Sequence, residues 1–314
     1  MKHRIFTIAA LATAMLASCS SEEELAQSSF PTDNVVRITA SIPHTRAGYT
    51  TSNLSEFGIC ISNPVRSQYT YRNVKVTKSS SDGSWTPEEL MLWHNLTDTV
   101  DIVAYAPYSS KVGALYGISD YKVSVDKDQN ENGIIENDFL VFSKIAFVPK
   151  NGLKSDGTLD IELKHAFSQL VLTITFNTEY SPLTSNPVTG LCINGVKVDG
   201  TCDFTMENPQ VVATGSATSV TPETGNFTSA TSSTDRAKAT YTCVLIPQDI
   251  AASNFYVKFN LNGKEYYWVS SASLSLKGGM SYQLDLTVGN DKTGTAKMSA
   301  REWENSYDKA LKTY

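Results

Sequence analysis

Leu170-Val171-Leu172-Thr173-Ile174-Thr175-Phe176 is the stretch that decides the fold. Leu170, Leu172, Ile174 and Phe176 recur at every second position with Val171, Thr173 and Thr175 between them, which is the period of a strand and not of a helix. Both sets are apolar enough to be covered on two faces, so the segment is expected to be central in its sheet. Downstream, the same alternation marks Gly190–Val198, Ala239–Ile246, Phe255–Asn260, Lys264–Ser271 and Ser281–Val288. Asn262-Gly263 separates two of these runs and predicts a type I′ hairpin, because that turn needs positive φ at both central residues.

Upstream, Val36, Ile38, Ala40 and Ile42 fall on one face of a half-buried strand spanning Val35–Pro43. Further strands are predicted at Phe57–Ser62, Tyr69–Thr77, Leu90–Trp93, Thr99–Ala106, Tyr121–Val125, Asp138–Ser143 and Gly157–Lys164, with turn clusters such as Ser79-Ser80-Ser81-Asp82-Gly83 between them. Many short strands punctuated by turns imply an all-β chain of two β-sandwich domains in tandem, residues 35–165 and 166–314, meeting near His165. Ser- and Thr-rich Ala213 to Lys238 reads as an exposed excursion. Trp303, Tyr307, Leu311 and Tyr314 stand at helical spacing and predict a short C-terminal helix.

The beginning of the chain carries an address. Lys2 and Arg4 precede an apolar run from Ile5 to Leu16, too short for the roughly 20 residues of a transmembrane helix. Residues 1–18 therefore read as a bacterial secretion signal, and Leu16-Ala17-Ser18-Cys19 ends it with a thiol placed to accept lipid. Cys19 becomes the acylated N-terminus. Residues 19–34, with Ser20-Ser21-Glu22-Glu23-Glu24, form an acidic tether that cannot bury itself. That tether resembles the export signal carrying some lipoproteins of anaerobic Gram-negative bacteria to the outer face of the outer membrane.

The whole chain has 314 residues, 41% hydrophobic and 18% charged, with a net charge of −6. No basic stripe is present to neutralise phosphates, which argues against nucleic acid as a partner. Cys60, Cys192, Cys202 and Cys243 lack the paired spacing of a zinc or redox site, although secretion would permit a Cys192–Cys202 bridge. Asp128-Gln129-Asn130-Glu131-Asn132-Gly133 opens like a calcium loop, but Phe139 stands where the bidentate Glu is needed, beside Asp138. A solvated acidic turn is the expected structure. No G-x-S-x-G, P-loop or H-E-x-x-H pattern is present, and of the histidines only His94 and His165 would remain after processing. His165 is expected to pack as a structural residue. The sequence thus implies no enzyme, no catalytic residue, no metal and no cofactor. Trp85, Trp93, Tyr105 and Tyr108 would suit a sugar platform, which keeps a surface-exposed glycan-binding lipoprotein as an alternative.

Laid end to end, several stretches resemble the fimbrillins, the subunits and lipoprotein precursors of type V pili. They are the lipobox with Cys19, Ile38–Ile42 leading to Thr45-Arg46-Ala47, Val103-Ala104-Tyr105-Ala106-Pro107-Tyr108, Asp138-Phe139-Leu140-Val141, Leu163–Leu170, Val244-Leu245-Ile246-Pro247-Gln248 and Gly279–Leu284. The resemblance implies two transthyretin-like β-sandwich domains and polymerisation with other fimbrillin subunits by donor-strand exchange. It further implies that Val35–Pro43 is removed by a cut between Arg46 and Ala47, opening a groove for a strand from another subunit. The donor is expected in Thr293–Ala300. Localisation would be the outer membrane surface and the fimbrium, with an unspecified host or bacterial receptor.

Overall fold

The computed structural model describes residues 30–43, 48–289 and 293–303. Among them the chain is all-β, as its alternation implied. The first series of strands is β1 (Arg37–Ser41), β2 (Glu56–Ser62), β3 (Tyr71–Lys78), β4 (Trp85–Pro87), β5 (Val100–Ala106), β6 (Tyr121–Ser124), β7 (Leu140–Phe147), β8 (Thr158–Glu162) and β9 (Lys164–His165). The second is β10 (Ser168–Phe176), β11 (Val188–Val196), β12 (Asp199–Asp203), β13 (Gln210–Thr214), β14 (Thr218–Val220), β15 (Glu223–Thr228), β16 (Lys238–Leu245), β17 (Gln248–Ile250), β18 (Tyr256–Leu261), β19 (Lys264–Val269), β20 (Leu274–Leu276), β21 (Met280–Val288) and β22 (Thr293–Glu302).

An eight-stranded sheet takes the order β8-β1-β4-β3-β2-β5-β7-β9. Its end strands β8 and β9 are separated in the chain by Leu163 alone, so the sheet curls back on itself. Val36, Ile38, Phe57, Ile59, Met91, Ile161 and other apolar residues before Lys164 fill its interior. A five-stranded sheet, β15-β16-β10-β21-β22, and a four-stranded sheet, β14-β11-β18-β19, enclose a second core that includes Leu172, Ile193, Tyr241, Phe259 and Leu284. β6 precedes His165 but pairs with β12, and Tyr105 and Phe139 join the second core, so the two strand series share packing across that point.

β10 holds the expected central place, antiparallel to β16 and parallel to β21. Leu170, Leu172, Ile174 and Phe176 are buried, whereas Val171, Thr173 and Thr175 are half-buried. The expectation of cover on both faces is corrected accordingly: this mixed sheet leaves its second face partly open to solvent. Asn262 and Gly263 have φ of 51° and 79° and join β18 to β19 as the hairpin rule requires. Gly195 is needed for another reason. Its φ is +83°, and a Cβ there would stand 1.9 Å from the Asn254 carbonyl oxygen.

Three local expectations are corrected. Ala213–Lys238 contains β14 and β15, which pair with β11 and β16, and Val220, Ala230 and Ala237 are fully buried. Ser and Thr there supply the outward positions of real strands. Leu90–Trp93 is no strand: Leu90 is exposed, and only a single bridge joins Leu92 to Val35. The Asp128 segment is no solvated turn. It forms α1 (Gln129–Glu136), capped by Asp128 accepting from the Asn130 N–H at 3.1 Å and interrupted by Gly133 at φ 76°. Buried Gln129 stitches α1 to β16 by donating from Nε2 to the Val244 carbonyl and accepting the Val244 N–H, each at 2.8 Å.

Candidate functional site

The site of interest is formed by the first strand, the segment after it and the last strand. β1 lies between β8 and β4. Its ladder with β8 is parallel and runs from Arg37 opposite Thr158 to Ser41 opposite Glu162, while one antiparallel pair, Ile38 and Trp85, joins it to β4. Two further backbone bonds hold its start, Val36 N–H to Met91 O at 2.9 Å and Trp93 N–H to Asn34 O at 2.8 Å. The side chains follow the alternation read from the sequence. Val36, Ile38, Ala40 and Ile42 are buried in the first core, and Thr39 points outward, donating from Oγ1 to Asp160 at 2.9 Å. Burying Val36, Ile38 and Ile42 stabilises the sheet by about 5–9 kcal/mol at ~1.5–3 kcal/mol per side chain.

Asp33 secures the approach to β1. Its carboxylate accepts from the Arg37 guanidinium at 2.5 and 2.9 Å and from the Val35 N–H at 3.1 Å. The Arg37 hydrogen bond, aided by the Val35 N–H, lowers the Asp33 pKa from 3.8 to about 2. A lowered folded pKa means that the pairing favours the folded segment above the ordinary carboxylate range and is lost as pH falls through the folded value. An NMR titration is therefore expected to place the Asp33 midpoint near 2, and Arg37→Ala to return it toward 3.8. A wild-type midpoint near the ordinary value would contradict the pairing.

Cys19, His44, Arg46 and Ala47 lie outside the described residues, as does most of the C-terminal helix predicted beyond about Ala300, whose expected start is instead the end of β22. Where the chain is described again, Gly48 and Tyr49 sit against the junction of the two series. The Tyr49 N–H donates to Asp138 Oδ2 at 2.9 Å, and the other carboxylate oxygen of Asp138 pairs with His165 Nδ1 at 2.9 Å. Both side chains of the pair are almost wholly shielded from solvent. His165 in turn stacks on Trp303, ring centroids 4.1 Å apart and planes 9° from parallel. Burial pushes the Tyr49 phenol up to about 12, with the carboxylates of Glu136, Asp138 and Glu56 acting in the same direction. His165 is thus a packed structural residue, as expected. The sequence did not single out Asp138 as its partner or Trp303 as its cover.

β22 contains the Thr293–Ala300 stretch expected to donate. It pairs antiparallel with β21 along one edge and, among the described residues, has no strand on the other. Ala296 and Lys297 are exposed, and Met298 and Ala300 pack only partly against the second core. Trp303, just beyond the strand, is buried and is anchored by its N–H donating to Gly279 O at 2.7 Å.

Other candidate sites disperse in the fold. Trp93 and Tyr105 are buried in different cores, Trp85 packs edge-on to Phe57, and Tyr108 lies beneath Lys75, so the four aromatics make no common platform. His94 pairs with Asp98 at 2.7 Å. Cys192 and Cys202 are free thiols, the first accepting from Asn194 Nδ2 at 3.2 Å and the second buried. Burial pushes the Cys202 and Cys243 thiols up to about 12 and raises Cys60, so these groups stay protonated at neutral pH. Among the described residues no group of His, Cys, Asp or Glu could hold a metal ion.

Comparison with known proteins places this arrangement. The chain superposes on a candidate cell adhesion protein from Bacteroides uniformis with a TM-score of 0.60 at 19% identity, over 86% of this chain and 100% of that one. For a second such protein, from Bacteroides ovatus, the TM-score is 0.62 at 15% identity, over 88% and 100%. The C-terminally truncated tip fimbrial protein Mfa3 from Porphyromonas gingivalis gives 0.53 at 10% identity, over 83% and 99%. These likenesses are of fold. No curated relative matches the chain in sequence. The sequence model of fimbrillin-like proteins matches residues 45–303, from beside Arg46 to Trp303, and the chain belongs to that family.

Proposed function

We propose that the protein is a fimbrial subunit precursor whose work is polymerisation and adhesion, without chemistry of its own. Residues 1–18 direct export, Cys19 takes the lipid, and residues 19–34 carry the body to the outer face of the outer membrane. Residues 35–165 and 166–314 act as tandem sandwich domains. A cut between Arg46 and Ala47 frees β1, and a strand from another fimbrillin subunit, with β22 as its counterpart in this chain, enters the vacated seat. The observation that carries this reading is the seat of β1: with its flanking residues Val36 and Ile42 the strand buries four side chains, and it stands shortly before the Arg46-Ala47 bond. Its loss would expose apolar core and unpaired backbone together, and a strand in the same register would restore both.

Electron microscopy of sheared surface material, with antibody to this chain, tests the proposal. Labelled filaments are expected from wild-type cells and none from cells lacking the protein. Failure of the antibody to label filaments, combined with saturable binding of the purified protein on a glycan array, would favour the surface glycan-binding lipoprotein instead.

A further inference from the structure

Four segments distant in the chain converge on one buried carboxylate. Asp138 accepts the Tyr49 N–H and pairs with His165, and His165 lies flat on Trp303. Gly48 closes the circle. Its φ is +83°, and a Cβ there would stand 2.6 Å from Asp138 Oδ2 and 3.5 Å from Trp303 Cζ2. The segment that follows the Arg46-Ala47 bond therefore touches both the Asp138–His165 pair and the residue just beyond the last strand.

We propose that Gly48, Tyr49, Asp138, His165 and Trp303 form a latch through which β1, while in place, holds β22 on its own sheet. The inference rests on the reading that β1 is removed and that β22 is the donor. Its physical basis is the way each end is tied. The end of β1 is bonded to the segment after Tyr49, since the Ile42 N–H donates to Thr51 Oγ1 at 2.9 Å and that hydroxyl donates back to Ile42 O at 3.0 Å. Removing β1 deletes both bonds and turns Gly48-Tyr49 into the frayed start of a chain. Asp138 then loses its backbone donor, and Trp303 loses the cover that Gly48 provides.

Beyond its backbone ladder to β21 and the partial packing of Met298 and Ala300, β22 has little apolar hold among the described residues. It is an edge strand with Ala296 and Lys297 exposed, so buried Trp303 is its principal apolar anchor. Within the pair beneath that anchor, buried His165 Nε2 finds no hydrogen-bond partner among the described residues. Processing at one end of the chain thereby loosens the strand at the other.

Amide hydrogen exchange of β22 in the soluble Cys19→Ala protein, before and after cleavage at Arg46, tests the latch. Cleavage is expected to speed exchange in β22 by about tenfold or more, while amides of central β10 keep their protection and report an intact fold. Gly48→Ala perturbs the N-terminal side of the cluster by a clash, and His165→Phe keeps a ring on Trp303 but removes the pairing with Asp138. Either variant should show the fast β22 exchange uncleaved, with cleavage adding less than about twofold. Unchanged β22 exchange on cleavage would overturn the latch, as would acceleration by cleavage that multiplies fully with that of the variants. If either variant also loses β10 protection, the milder Trp303→Phe takes its place with the same criteria. Ladders of assembled subunits forming while β22 exchange stays constant would overturn the latch and leave strand exchange standing. Accelerated exchange without any ladders would do the reverse.

Discussion

Arg46→Ala is expected to leave the chain a stable monomer under arginine-directed proteolysis that converts the wild type into SDS-resistant ladders. The argument is one of magnitude. Val36, Ile38 and Ile42 contribute about 5–9 kcal/mol through burial, a large part of the ~5–15 kcal/mol by which a whole domain is stable. A subunit that loses this strand must refill the seat or leave Leu159, Ile161, Met91 and Trp93 facing water. While the chain is continuous, β1 is effectively present at high local concentration and no incoming strand can compete. A cut at Arg46 removes that advantage. Gel electrophoresis after a protease time course checks the outcome: ladders in the wild type, and monomer in Arg46→Ala. A synthetic peptide spanning Val35–Pro43 should suppress the wild-type ladders by occupying the seat. Equal polymerisation of the mutant and the wild type would show that strand removal is not the switch.

Cys19→Ala is expected to move the protein from the membrane fraction to the soluble fraction almost completely. Acyl chains hold a protein by about 0.8 kcal/mol per buried CH₂, and stable anchoring needs more than one chain, which a lipoprotein N-terminus supplies. No helix among the described residues is long and apolar enough to cross a membrane. Metabolic labelling with an alkyne fatty acid and cell fractionation read the result. Label or membrane retention persisting in the mutant would contradict acylation at Cys19.

The strands that decide the fold were legible because their alternation is a local property. Leu170 to Phe176, Val36 to Ile42 and the Asn262-Gly263 turn each state their structure within a few residues. β14 and β15 were missed because Ser and Thr on their outer faces dilute the apolar pattern, and burial of Val220, Ala230 and Ala237 is decided by distant neighbours. The Asp128 segment misled for a similar reason. Its acidic, Gly-containing run reads as a solvated turn, but Gln129 is held by Val244, 115 positions away in sequence, and the segment folds as α1. At the candidate site, the seat of β1 could be read from one stretch. The cluster of Gly48, Asp138, His165 and Trp303 could not, since its members come from four separate segments and only the sheet topology brings them together. A sharper signal was available in retrospect. An aspartate next to Phe139 and a histidine between Leu163 and Ala166 are polar groups set in largely apolar runs, where a buried polar group requires a partner.

The most direct measurement of the central claim is the N-terminal sequence of this protein in filaments sheared from the cell surface, set beside that of the membrane-retained fraction. Assembly after strand removal predicts Ala47 as the first residue in the filaments and acylated Cys19 in the membrane pool. Filaments built of chains that still begin at acylated Cys19, with β1 in place, would contradict it.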